Sequence, residues 1–271
     1  MVKRPSPATV RWLILIALLV FWELFPRTGA IPELFLPPLS KVAAVLVSDW
    51  RMYLSQLGVT LYEVAFAMLI ACGAGILTGA LVGGIALLRN LLLPVFSSLY
   101  AVPIVILYPI FTAWFGIGSQ SKIIFAGVYG FFPVMLSTAA GIRTIDEQLL
   151  LAARSMGATL PQQITRVIIP ASIPTILTGL RLGGALTIIG VVVSEMLTAS
   201  AGIGYVVTFY RTILDSAHVF GGIIMILLLS ILFDTFARAI ERRTMVWQTA
   251  GRRQKEGEKP QAVGTPAPAP V

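Results

Sequence analysis

Uninterrupted apolar runs, each about as long as a bilayer is thick, recur along this sequence and leave few folds open. A helix needs about 20 apolar residues to cross the hydrocarbon core. Inside that core only structures that satisfy their own backbone hydrogen bonds survive. Runs of this order occupy Val10–Phe25, Leu57–Leu88, Leu91–Phe115, Ile123–Ile142, Pro174–Leu197 and Val219–Ala237. They predict an all-α membrane protein with six transmembrane helices. Only 12% of the 271 residues are charged and 57% are hydrophobic, whereas a soluble domain carries about 25% charged residues. The missing charge is surface that faces lipid. The first run is short and needs tilt, local thinning or its flanks to span. Lys3 and Arg4 precede it as in a signal peptide, but no small-x-small cleavage site follows, so it reads as an uncleaved span.

Between the spans the chain divides into residues 1–55 (first helix and an outer interfacial segment), 56–240 (a five-helix transmembrane domain) and 241–271 (a basic, Pro/Ala-rich tail expected to be disordered). Ser40–Val47 suggests an interfacial helix. Gly75, Gly79 and Gly83 repeat every four residues and clear one helix face for close packing. Arg89-Asn90 reads as a short turn. Pro94, Pro103 and Pro109 interrupt the third run, which is either simply kinked or a pathway-lining broken helix. Ala199 to His218 is expected to be an irregular outer connection. With the N-terminus inside, only Arg27, Lys41, Arg51, Lys122 and Arg211 lie outside, which leaves 15 of the 20 Lys and Arg within. That split obeys the positive-inside rule, so the basic balance reports topology rather than an anionic ligand or nucleic acid. Both termini are then expected in the cytoplasm.

The longest stretch that does not read as lipid-facing is Thr144–Pro174. Thr144-Ile-Asp-Glu147 fits a capping box, and Leu149, Ala152, Ala153 and Met156 form one apolar stripe. Gly157 falls where a left-handed stop is wanted. Thr159-Leu-Pro-Gln162 fits a second capping box, with a helix expected to run to about Ile168 and to end at Pro170 and Pro174. Three readings of this helix–turn–helix are open: a connector, a DNA-binding motif, or a docking element for a cytoplasmic partner. The second fails, because a recognition helix needs base-reading polar side chains. Ala152, Ala153 and Gly157 offer a low-relief surface with Arg154, Gln162 and Gln163 as its polar rim.

Other chemistry is sparse. No G-x-x-x-x-G-K-[ST] occurs, so the chain holds no P-loop, and one histidine, His218, excludes His-based triads and zinc clusters. His218 reads as an ordinary interfacial residue, and Cys72 as a small packing residue. No catalytic residue, metal or cofactor is expected, and energy must come from a partner or a gradient. Among ionisable groups within spans, Glu63 and Arg181 are placed where snorkelling suffices. Asp234 is positioned to pair with Arg238. Glu195 either faces the pathway or caps the outer loop around Gly202-Ile-Gly204.

The run Ala152-Ala153, three residues, Gly157, nine residues, Val167-Ile-Ile-Pro170 resembles the "EAA" loop of ATP-binding-cassette importer permeases, with Leu151 at the position of the motif Glu. Pro103-x5-Pro109-x4-Trp114-Phe-Gly-Ile-Gly118, Ala153-Arg-Ser-Met-Gly-Ala158, Thr178-Gly-Leu-Arg181, Ser194-Glu195-Met196 and Gly202-Ile-Gly204-Tyr205 resemble the nitrate, sulfonate and taurine branch. The resemblance covers roughly residues 57–237. It implies a type I importer permease-like fold and a small-solute importer. It also implies two cytoplasmic ATP-binding subunits, a second permease copy (a homodimer) and an external solute-binding protein. ATP would be bound by the partner. Ala152, Ala153, Arg154, Gly157, Ala158, Gln162 and Pro170 would couple to the ATPase, and Glu195, Pro103 and Pro109 are candidate pathway or gate residues. The alternative, a gradient-driven secondary transporter, predicts inverted repeats and paired membrane charges, and no internal repeat is found.

Overall fold

Spans separated by short polar segments give an up-and-down helical bundle in the computed structural model, which describes residues 6–198 and 200–257. In chain order the helices are α1 Pro7–Arg27, α2 Leu39–Ser48, α3 Trp50–Gly84, α4 Ala86–Tyr100, α5 Tyr108–Phe115, α6 Ser119–Arg143, α7 Glu147–Ser155, α8 Leu160–Gln163, α9 Ile169–Thr198, α10 Ile203–Thr212 and α11 Ser216–Gly257. A 3-10 turn, Ile104–Leu107, precedes α5, and a π turn, Ile164–Ile168, joins α8 to α9. Among the described residues, five segments are long and apolar enough to span, and α4 with the 104–115 segment makes a sixth that is bent by 83°.

Small residues decide which helix sits at the centre. The α3 glycines face α6: a Cβ on Gly75 would lie 2.8 Å from the Val134 Cβ, one on Gly79 2.7 Å from the Thr138 Cβ, and one on Gly83 2.9 Å from the Ala139 Cα. The seam expected from the four-residue spacing is therefore built, and backbone-to-backbone contact replaces side-chain interdigitation. On the opposite side of α6, Gly179, Gly183 and Gly190 of α9 approach it in the same way. More than half of the most apolar window of α6 is buried (56%), against 6% for α1. Between α3, α6 and α9 lies a core of Val64, Ala67, Ala126, Ile188, Val191 and Val192. A second core, of Ile104, Tyr108, Phe125 and Phe132, holds the bent segment onto α6.

Several expectations are corrected. The second span starts at Trp50 and ends at Gly84, where Ile85 is extended (φ −106°, ψ 113°), so Arg89-Asn90 lies within α4 instead of forming a turn. Pro94 is likewise inside α4; only Pro103, before the 3-10 turn, and Pro109, in the first turn of α5, mark the interruption. The first span is 21 residues long, so it needs no thinning to cross about 30 Å at 1.5 Å per residue. The outer connection is not irregular, since half of it is α10 and its last residues already belong to α11. Tail residues through Gly257 continue α11, and the remainder of the tail lies outside the described residues.

Thr144 does not start a capping box. It closes α6, and its hydroxyl donates to the Ala140 carbonyl at 3.0 Å; Asp146 is the cap of α7 instead, accepting from the Gln148 N–H at 2.9 Å. Nor do Pro170 and Pro174 end a helix. A proline in an α-helix clashes with the carbonyl four residues back and lacks a donor. The π turn just before Pro170, closed by the Ile169 N–H on the Ile164 carbonyl, widens the helix there. The chain stays helical from Leu160 to Thr198.

Candidate functional site

At one end of the bundle, α7 and α8 form a hairpin set off from the spans. Gly157 takes φ +78°. Around it the Gly157 N–H donates to the Arg154 carbonyl at 2.9 Å and the Ala158 N–H to the Ala153 carbonyl at 3.0 Å, which closes the open carbonyls of α7. The second capping box is present: the Gln162 carboxamide oxygen accepts from the Thr159 N–H at 2.9 Å. Gln163 is buried; its side chain donates to the Ala158 carbonyl at 2.8 Å and accepts from Arg154 Nε at 3.5 Å. Ala153 is buried beneath the turn, whereas Leu149, Leu151, Met156 and Leu160 are exposed. Ala152, Arg154, Gly157 and Gln162 are exposed and Ala158 half-buried, all within this one hairpin. Pro170 stands apart, at the start of α9.

This exposed surface differs from the expected stripe: Ala153 faces the bundle, and Leu151, at the motif Glu position, faces outward at 53% exposure. The hairpin is thus stiffened by local hydrogen bonds yet presents apolar side chains that nothing among the described residues covers. Apolar surface left open in this way marks a protein or membrane contact.

The opposite end holds a buried polar cluster. Gln56, Thr60 and Glu63 project from α3 at helical spacing. Glu195 accepts from the Thr60 hydroxyl at 2.8 Å and from the Gly204 N–H at 2.7 Å, so its carboxylate caps the loop into α10, one of the two roles expected of it. Gln56 accepts from the Gly202 N–H at 2.7 Å and Thr60 from the Ile203 N–H at 2.9 Å. The same patch holds an ion pair between Lys122 and Glu63, both buried, with the Ser119 hydroxyl donating to Glu63 at 2.7 Å. Glu63 therefore does not snorkel, and Lys122 is not an exposed loop residue. Tyr108, beside Pro109, bonds Thr198 at 2.7 Å, which ties the bent span to the end of α9. Pro109 and Glu195 thus lie at this end, whereas Pro103 precedes the 3-10 turn that packs on α6. The ion pair escaped the sequence because its members lie far apart in the chain; the polar stripe Gln56, Thr60, Glu63 in an apolar run was the available signal.

Two more polar contacts position helices. Arg181 pairs with Asp234 at 2.7 Å instead of snorkelling freely, and Asp234 also meets Arg238 at 2.7 Å as expected. His218 bridges Asp215 at 2.8 Å and Asp49 at 3.0 Å and stacks on Tyr210, so it fastens the α2–α3 corner to the start of α11. The hydrogen bond from His218 holds the Asp49 carboxyl below its usual range.

A multi-span bundle with a capped, outward-facing apolar hairpin defines the membrane subunit of a transporter driven by a separate protein. Residues 71–246 match the family described as binding-protein-dependent transport system inner membrane component, and the chain belongs to that family. It is 32% identical over 255 residues to a putative aliphatic sulfonates transport permease protein of Bacillus subtilis, covering 92% of each chain. It is also 31% identical over 241 residues to the taurine transport system permease protein of Escherichia coli, covering 86% of this chain and 87% of that one. Its fold is similar to a chain of the MetNI methionine ABC transporter in an inward-facing conformation, with a TM-score of 0.59 and 19% identity, over 74% of this chain and 98% of that chain. The protein is accordingly a permease subunit of an ATP-driven, binding-protein-dependent importer and a multi-pass inner-membrane component.

Proposed function

We propose that two identical copies of this chain form a pathway for a small sulfonate-bearing solute, and that the α7–α8 hairpins sit in two cytoplasmic ATPase subunits. An external binding protein delivers the solute at the Glu195 end. The single observation that carries this reading is the hairpin itself: rigid at Gly157 and Thr159, apolar at Leu149, Leu151 and Met156, and uncovered. A lever must be stiff, because a frayed one absorbs the displacement that should reach α6 and α9. Ala152, Arg154, Gly157 and Gln162 form the contact surface, with Ala153 and Ala158 supporting it and Pro170 where the chain passes from the hairpin into α9. ATP is held by the partner, and the chain itself carries no cofactor and no catalytic group.

The positive-inside count supports a cytoplasmic hairpin and cytoplasmic termini. The names of the sulfonate and taurine relatives support the solute class. Pro109 and Glu195, linked through the Tyr108–Thr198 bond, are proposed together with Pro103 to flank the outer gate. The test has two arms. A cysteine at Gln162, in a chain whose one native cysteine Cys72 is replaced by Ala, should be labelled by a membrane-impermeant maleimide only in inside-out vesicles; labelling in intact cells rejects the orientation. Vesicles holding the permease with its ATPase and binding protein should take up taurine or an alkanesulfonate only with ATP. Uptake on an ion gradient without the ATPase rejects the coupling.

A further inference from the structure

Between the α3–α4 break, the last turn of α6 and the coupling hairpin lies a cavity of about 1260 Å³. Arg89, Arg143 and Arg154 line it together with Asn90, and Glu147 is its one carboxylate. At the same end Arg181 and Arg238 share Asp234. Among the described residues none of the three cavity arginines has a carboxylate partner. We propose that this cavity binds the phosphate headgroup of an anionic phospholipid.

The charge is one reason and the placement is the other. Guanidinium groups present forked donors that match a phosphate, and basic pockets between spans at the cytoplasmic level select anionic headgroups. With Glu147 counted, the lining keeps a net charge of +2. The cavity also has an apolar wall, Leu93 and Pro94 of α4, and Leu87 and Leu91 on the same helix are more than half exposed as bare apolar surface. A headgroup in the cavity can therefore leave its acyl chains along α4. Free phosphate would satisfy the arginines but leave that wall wet. Because the lining includes Arg154 and Glu147 of the hairpin and Arg143 of α6, the bound lipid would brace the coupling region against the bundle.

The inference rests on the orientation proposed above only for the leaflet involved, and it is tested by binding rather than transport, so either can fail alone. The purified permease–ATPase complex is analysed by native mass spectrometry with phosphatidylglycerol or phosphatidylcholine of matched acyl chains, with inorganic phosphate present. The wild type should retain phosphatidylglycerol in clear preference. Arg89→Gln with Arg143→Gln should lower that retention by about fivefold per arginine and leave phosphatidylcholine unchanged. Arg242→Gln with Arg243→Gln, on α11 away from the cavity, should retain the preference. Equal retention of the two lipids by the wild type overturns the proposal and needs no variant. So does bound phosphate in place of lipid, or an equal loss in both variant pairs.

Discussion

Glu63 and Lys122 show how one pair of residues can hold two spans in register. Their side chains are 0% and 5% exposed, and each charge is tolerable there only because of the other. Removing one member of a buried pair leaves an uncompensated charge, at a cost of about 3–5 kcal/mol, whereas replacing both with apolar groups is often neutral or better. Lys122→Met should accordingly lower the melting temperature of the detergent-solubilised chain sharply, and Lys122→Met with Glu63→Leu should restore most of it. If the double variant is as unstable as the single one, the pair is not what holds α3 to α6 at that end. Asp49 makes a second prediction at this scale. Its folded pKa is depressed through His218, so its contribution to stability is present above the ordinary Asp value of about 3.9 and is lost as pH falls through the depressed one. The melting-temperature gap between wild type and Asp49→Asn should be full at pH 7 and should close in strong acid; a gap independent of pH would assign Asp49 a packing role instead.

Elements add what single residues cannot. The Gly75-Gly79-Gly83 face was legible because a helix turns by nearly the same angle every four residues, and the Gly157 stop was legible because few residues other than glycine accept its φ. Pro170 misled for a physical reason: local rules assume an α-helix, and a π turn over 164–168 relieved the conflict they anticipate there, while Pro174 is carried inside α9. Thr144 misled because a helix end and a helix start compete for the same hydroxyl, and α6 won it. The Glu63–Lys122 contact was illegible, since no local rule pairs residues that only the fold brings together. Gly157 carries the test at this scale. A Cβ there would meet nothing within 4 Å in this chain, so within the chain Gly157→Val acts through backbone conformation, at about 1–2 kcal/mol for leaving or straining the left-handed turn. The variant should insert and melt near the wild-type temperature, yet lose transport and the coupled stimulation of ATP hydrolysis. Gly157→Asn, which tolerates φ > 0, should keep a substantial part of both. Equal loss in the two variants would place the defect in contact surface rather than turn geometry.

At the scale of the molecule, the bundle has an unequal distribution of burial that separates its working part from an attachment. The helices α3, α6 and α9 bury their glycine faces in one another, and the family match covers residues 71–246, which excludes α1. That helix is exposed along nearly its whole length and is held mainly at one end, where Trp22 Nε1 donates to the Pro37 carbonyl at 3.1 Å, its ring meets Phe220, and Glu23 accepts from the Ser40 N–H at 2.9 Å. A span fastened at a single end and otherwise bathed in lipid contributes little to the packed core, because lipid replaces protein against its apolar face at almost no cost. Deleting residues 1–30 should therefore leave a bundle that inserts, assembles with the ATPase and melts within a few degrees of the full chain. The positive residues flanking the remaining spans should keep their orientation, read by maleimide labelling at Gln162→Cys. Loss of assembly with the ATPase in the shortened chain would mean that α1 braces the bundle through contacts with a second subunit. The working unit would then be the pair of chains, and the five inner spans of one copy would not suffice.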